Sequence, residues 1–95
     1  MSNYMEEFPD YDDTLSLPNS WIDISWQNDP CPSFEREHSE IVYRLFCDYV
    51  DSDKREMCHE PRFVLYIEDQ VNFVCIGQFH TLAEALALVE KEIAA

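Results

Sequence analysis

Ile41-Val42-Tyr43-Arg44-Leu45-Phe46-Cys47-Asp48-Tyr49 is the stretch that decides the fold. β-Branched and aromatic residues dominate it, and no proline or glycine interrupts it. Its side chains divide by twos: Ile41, Tyr43, Leu45 and Cys47 on one side, Val42, Arg44, Phe46 and Asp48 on the other. Period two predicts a strand. The second side mixes apolar and charged groups, which an antiparallel sheet tolerates on a solvated face and a parallel sheet seldom does.

Working back from this strand, Ile22, Ile24 and Trp26 alternate with Asp23 and Ser25, which predicts a half-buried strand with its apolar face inward. Asn28-Asp29-Pro30-Cys31-Pro32 stops it, because prolines lack a donor and restrict the residue before them, and the chain returns through Phe34. Working forward, Asp51 to Pro61 is a polar loop of mixed charge. Arg62–Ile67 and Asn72–Gln78 then predict a β-hairpin around Glu68-Asp69-Gln70-Val71, and Gly77 marks a bulge or a close approach. Thr81 and Glu84 form a capping box, and Leu82, Leu86, Val89 and Ile93 recur at helical spacing, so the chain closes on a helix whose stripe faces the sheet.

These elements predict an α+β fold: an antiparallel four- to five-stranded meander with one C-terminal helix packed on one face. Residues 1–20 read as an acidic N-terminal tail or lead-in, in which Tyr4, Phe8 and Tyr11 stand among Glu6, Glu7, Asp10, Asp12 and Asp13. Residues 21–95 read as a single domain, since a chain of 95 residues has apolar surface for one modest core. One helix covers one face. The other is left to solvent or a partner, with Trp21, Val42, Phe46, Tyr66 and Val74 as candidates, unless the lead-in folds across it.

Charge narrows the functional classes. Twenty acidic residues against six basic ones give −14, and no lysine or arginine precedes Arg36. Such a surface repels nucleic acid and anionic membrane and attracts cationic proteins. No apolar run approaches the roughly 20 residues of a bilayer span, and Met1 to Asp10 lacks the basic-then-apolar pattern of a secretory signal; both point to the cytoplasm.

Catalytic and metal motifs are missing at the level of spacing. Cys31, Cys47, Cys58 and Cys75 contain no C-x-x-C pair, and His38, His59 and His80 complete no zinc pattern, so neither metal nor cofactor is expected. The cysteines read instead as small buried apolar residues, with Cys47 and Cys75 in strands. Cys31, locked between Pro30 and Pro32, is the one thiol in a position to act as a nucleophile, and no neighbouring histidine in the sequence activates it. Asp48, Asp51 and Asp53 superficially suggest a calcium loop, but Arg55 occupies the place of the next ligand and the turn glycine is missing. The expectation is a binding protein, not an enzyme.

Duplex DNA carries a phosphate about every 3.4 Å per strand, whereas same-face carboxylates in a strand recur about every 6.6 Å. A protein imitation of a polyanion must therefore gather acids from several elements. Asp10, Asp12, Asp13, Asp23, Asp29, Asp48, Asp51, Asp53, Glu68 and Asp69 are the candidate partner-binding carboxylates, with Trp21 and Phe46 as apolar anchors.

The stretch Ser25-Trp26-Gln27-Asn28-Asp29-Pro30-Cys31-Pro32-Ser33, with Asp48-Tyr49 and Arg62-Phe63, resembles a group of small phage and proteobacterial proteins without assigned activity. That likeness spans about residues 20–80. In size, acidity and sheet-plus-helix layout the chain is also similar to phage anti-CRISPR proteins. The resemblance implies an inhibitor that binds a CRISPR effector complex or another basic nucleic-acid-binding host protein, in the host cytoplasm. A small assembly protein that homodimerises through the open sheet face is the other reading.

Overall fold

The computed structural model describes residues 3–57 and 59–94, so Cys58 lies outside the described residues. Five strands, β1 (Ile22–Asp23), β2 (Ser33–His38), β3 (Ile41–Cys47), β4 (Phe63–Glu68) and β5 (Phe73–Phe79), form one antiparallel sheet in the order β1-β2-β3-β4-β5. A one-turn helix α1 (Tyr4–Glu7) precedes the sheet, and α2 (Leu82–Ala94) follows it and lies over β3, β4 and β5. The fold is the expected α+β meander with a C-terminal helix.

Register explains which side chains are buried. Phe34 pairs with Leu45 and Arg36 with Tyr43; Leu45 pairs with Leu65 and Cys47 with Phe63. These residues share the α2 face, and Phe34, Tyr43, Leu45, Cys47, Phe63 and Leu65 form one buried cluster with Ala85 and Val89 of α2. Leu82, Leu86 and Ile93 flank that contact and are only partly buried. At the start of α2 the Thr81 hydroxyl accepts from the Glu84 amide at 3.2 Å, while the Glu84 carboxylate accepts from the Thr81 amide at 3.2 Å and from its hydroxyl at 2.9 Å. The capping box is closed reciprocally.

β2 and β3 are joined by Ser39 and Glu40, with φ of 51° and 68°. Positive φ at both central residues is the type I′ geometry whose twist suits a two-residue hairpin, here built without the Asn-Gly that relieves its steric cost. In β5 the register slips between Leu65 and Tyr66, which leaves Ile76 as an inserted residue beside Gly77. A Cβ on Gly77 would lie 2.6 Å from Phe79 Cζ, so the glycine serves a close approach.

Four expectations change. β1 is two residues long, and Ile22 and Trp26 are exposed while Trp21 and Ser25 are buried, the reverse of the alternation. The cause is local: the Asp23 carboxylate accepts from the Tyr4 and Ser25 amides, which ties β1 to α1 and ends its pairing. Trp21 is therefore core, held as the Trp21 amide donates to the Pro18 carbonyl. Val74, expected on the open face, pairs with Ile67 on the α2 face because of the bulge. Cys75 is exposed on the edge strand instead of buried.

The lead-in lies on the α2 side. Tyr4 and Leu15 join the main cluster, Tyr4 meets Phe34 edge-on at 5.9 Å, and Phe8 is buried. Val42, Arg44, Phe46, Tyr66 and Phe73 thus keep their face of the sheet clear of it. No helix is long and apolar enough to cross a membrane among the described residues.

Candidate functional site

Tyr11 fastens the lead-in to the end of β3, donating its hydroxyl to the Cys47 carbonyl at 3.0 Å and the Asp48 carbonyl at 3.2 Å. Burial pushes this phenol well above its ordinary pKa, so it stays a donor. With the ring fixed, the acids around it reach the loop after β3. Asp10 accepts from the Tyr49 hydroxyl at 3.0 Å, and Asp12 accepts from the Val50 and Asp51 amides at 2.8 Å each. Burial alone would raise the Asp12 carboxyl; the two amides outweigh it and hold it below the ordinary range. Asp51 in turn caps a 3-10 turn (Ser52–Lys54) by accepting from the Asp53 amide at 3.0 Å. Asp10, Asp12, Asp13, Asp51 and Asp53 are all exposed and together form one corner.

Two of this corner's three cations lie beneath the acids, and the third, Lys54, is exposed and donates to the Asp10 carbonyl at 3.4 Å. The Arg55 side chain is 8% exposed, its guanidinium donating to the Tyr49, Val50 and His59 carbonyls, and that of Arg62 is 13% exposed between Asp13 and the Asp48 carbonyl. Elsewhere Arg36 pairs with Glu90, and Arg44 sits between Glu68 at 3.2 Å and Glu35 at 3.7 Å. All four arginines are half-buried struts, and only Lys54 and Lys91 are exposed. The molecule displays its carboxylates and withdraws its guanidinium groups.

Not every candidate joins the corner. Asp23 is half-buried and spent on amides of Tyr4 and Ser25. Asp29, also half-buried, lines a groove on the open face. Glu68 and Asp69 stand at the far end of the sheet, where the β4–β5 turn meets the Ser39-Glu40 turn across a cavity of about 270 Å³ lined by Glu40, Ile41, Asp69 and Val71. Asp69 accepts from the Val71 and Asn72 amides, which hold its carboxyl below the ordinary range. β3 spans seven residues, so the two acidic ends are about 20 Å apart.

Two site expectations are overturned. Trp21 is a core residue and offers no anchor. Asp48 is 0% exposed and cannot meet a partner: the residue after β3 turns its side chain beneath the loops instead of outward. Phe46 keeps its place on the open face, edge-on to Tyr66 at 5.6 Å, and Tyr66 stacks on Phe73 at 4.6 Å, with Arg44 6.0 Å from the Phe73 ring.

Buried Asp48 belongs to a group that spacing did not reveal. Donor atoms of Cys31, Asp48 and His59 lie within 4.8 Å of one another. Cys31 comes from the β1–β2 loop, Asp48 from the end of β3 and His59 from the β3–β4 loop, so no short motif links them. His59 also lines the groove, about 270 Å³, with Asp29, Pro30, Phe46, Met57, Tyr66 and Phe73. Comparison with protein-family models, with curated proteins and with solved structures finds no match.

Proposed function

We propose that the chain is a non-enzymatic decoy whose exposed carboxylates occupy a basic nucleic-acid-binding surface, in the manner of the phage anti-CRISPR inhibitors it resembles, acting in the host cytoplasm. One observation carries the reading: Asp10, Asp12, Asp13, Asp51 and Asp53, from segments about forty residues apart, are fastened into one exposed corner while the arginines are drawn beneath them. A carboxylate held in place by backbone amides presents its charge without further ordering when a partner arrives. Phe46, Tyr66 and Phe73, on the face of the sheet away from the lead-in, supply apolar contact.

The test is recovery of the tagged chain's partner from host lysate at low and high salt, with duplex DNA as competitor. A nucleic-acid-handling complex that is released by DNA and by salt supports the reading. Capture of the chain by itself alone overturns it.

The ring ladder Phe46, Tyr66 and Phe73, with Phe73 exposed on the edge strand, favours a second reading, a homodimer through the open face. Its mark is a mass that rises with concentration, resists salt and falls to the monomer in Phe73→Glu.

A further inference from the structure

Asp48 presents an unusual account of its two oxygens. Its Oδ1 accepts from the Tyr49 amide at 2.9 Å, but Oδ2, on a side chain 0% exposed, has no hydrogen-bond partner. His59 Nδ1 is likewise buried without one, although it lies 2.8 Å from that oxygen. Buried polar atoms are rarely left so, and each one calls for a reason. Cys31 Sγ completes the group.

We propose that Cys31, Asp48 and His59 form a binding site for one transition-metal ion of the zinc class, taken up as a thiolate, a carboxylate and an imidazole ligand. The site is separate from the acidic corner and stands whether or not the decoy reading does.

Donor chemistry selects the ion. Calcium and magnesium want oxygen ligands throughout, whereas a sulfur, nitrogen and oxygen set suits zinc and its neighbours. Size agrees. A tetrahedral ion separates its nitrogen and oxygen ligands by about 3.3 Å and places sulfur about 3.6 Å from either, so the pair at 2.8 Å opens by about half an ångström. Charge agrees as well, because a thiolate and a carboxylate neutralise a divalent cation in a place where two bare anions would be expensive to bury.

The frame around the ligands is fixed. The Cys47 amide donates to the Pro32 carbonyl and the Asp48 amide to the Arg62 carbonyl, while the Asp48 carbonyl accepts from Arg62 and Tyr11. His59 is tethered through its own carbonyl to Arg55 at 2.7 Å. Such support orients ligands before the ion arrives. Of the three residues, only His59 reaches the groove wall, so the ion passes from solvent along the groove and past the imidazole.

A Cys-His-Asp group also suggests a nucleophile, but the surroundings oppose it. Burial first, then the charges of Asp48 and Asp29, push the Cys31 thiol far above its ordinary range. A reactive cysteine needs the opposite, an electropositive and accessible setting. A cation supplies the missing charge: the metal–sulfur bond forms as the S–H bond breaks, the thiol proton leaves to solvent, and nothing is oxidised.

The test titrates the full chain, reduced and metal-free, with Zn²⁺ and with Co²⁺, reading metal retained after dialysis, melting temperature and thiolate-to-cobalt absorption. One equivalent retained per chain, a raised melting temperature and a thiolate band, none competed by excess Ca²⁺ or Mg²⁺, are the expected results. Cys31→Ser and His59→Gln each weaken binding more than about a hundredfold, beyond what loss of a supporting contact does, while Cys75→Ser leaves it unchanged. His59→Gln keeps the test decisive should a change at Asp48 fail to fold. Metal uptake that Ca²⁺ displaces, that shows no thiolate-to-cobalt band when Co²⁺ is the ion, or that survives both substitutions overturns the proposal.

Discussion

On the α2 side of the sheet, Phe34, Tyr43, Leu45, Phe63 and Leu65 meet Ala85, Val89 and the rings of the lead-in. On the other side, Val64 is buried at 1% exposure, yet the company at that end is polar: Ser25, Ser33, Asp48, His59 and Cys31. The first region fills space with side chains whose only requirement is to leave water. The second is held by directional contacts, the Ser25 hydroxyl accepting from the Ser33 amide at 3.1 Å and the Asp48 backbone clasped by Arg62 and Tyr11. Volume governs one region and charge the other. They should therefore fail differently.

Leu45→Ala attacks volume at the centre of the sheet, where the residue is 0% exposed, and should cost about 2 to 5 kcal/mol in urea unfolding. Leu45→Met, which keeps volume, should cost less than about 1.5 kcal/mol. The polar region should show the reverse preference. Asp48→Asn preserves volume almost perfectly and should still cost about 1 to 3 kcal/mol, because a buried acceptor that serves the Tyr49 amide and faces His59 is replaced by a group with donors to satisfy. If Asp48→Asn melts like the wild type, the contrast between the two regions is lost.

That contrast also explains what could be read from the chain. β3, the β4–β5 hairpin and α2 were legible because alternation, a glycine at the bulge and a capping box state their structure within a few residues. The acidic corner was half legible: the acids were evident, but their convergence depends on Tyr11 reaching the Cys47 carbonyl, a contact across 36 residues. Trp21 and Asp48 misled for opposite reasons. Trp21 stands before an apparent alternation that Asp23 interrupts by accepting from the Tyr4 and Ser25 amides, and Asp48 follows a strand so directly that it reads as a surface charge. Cys31, Asp48 and His59 were illegible as a set, since two separate loops bring them together and no local period records it.

A smaller gain sharpens the account of the sheet. Glu40→Gly, at φ 68° in the type I′ turn, should raise stability by about 1 kcal/mol, because glycine adopts that conformation without a Cβ clash. Unchanged or lower stability would show that the Glu40 side chain contributes more than its backbone costs.

Acidity should loosen the lead-in before either buried region yields. The Asp12 carboxyl is held below its ordinary value of 3.8 when folded, so its contribution is complete above that value and is lost as pH falls through the lower, folded one. The Val50 and Asp51 amide resonances should move together in that window, and Asp12→Asn should remove the movement. Amides that stay still as Asp12 protonates would detach it from the loop.

The most direct measurement of the central claim is the affinity of the chain for a purified CRISPR effector complex, taken across a salt series with and without Asp51→Lys and Asp53→Lys together. Both residues are exposed and the Asp51 cap holds only the Ser52–Lys54 turn, so the double variant should stay folded, with a melting temperature lowered by no more than about 10 °C. The account predicts wild-type binding that excludes target DNA and weakens steeply with salt, and a variant that binds poorly at every salt concentration. Binding that ignores both salt and the charge reversal would contradict it.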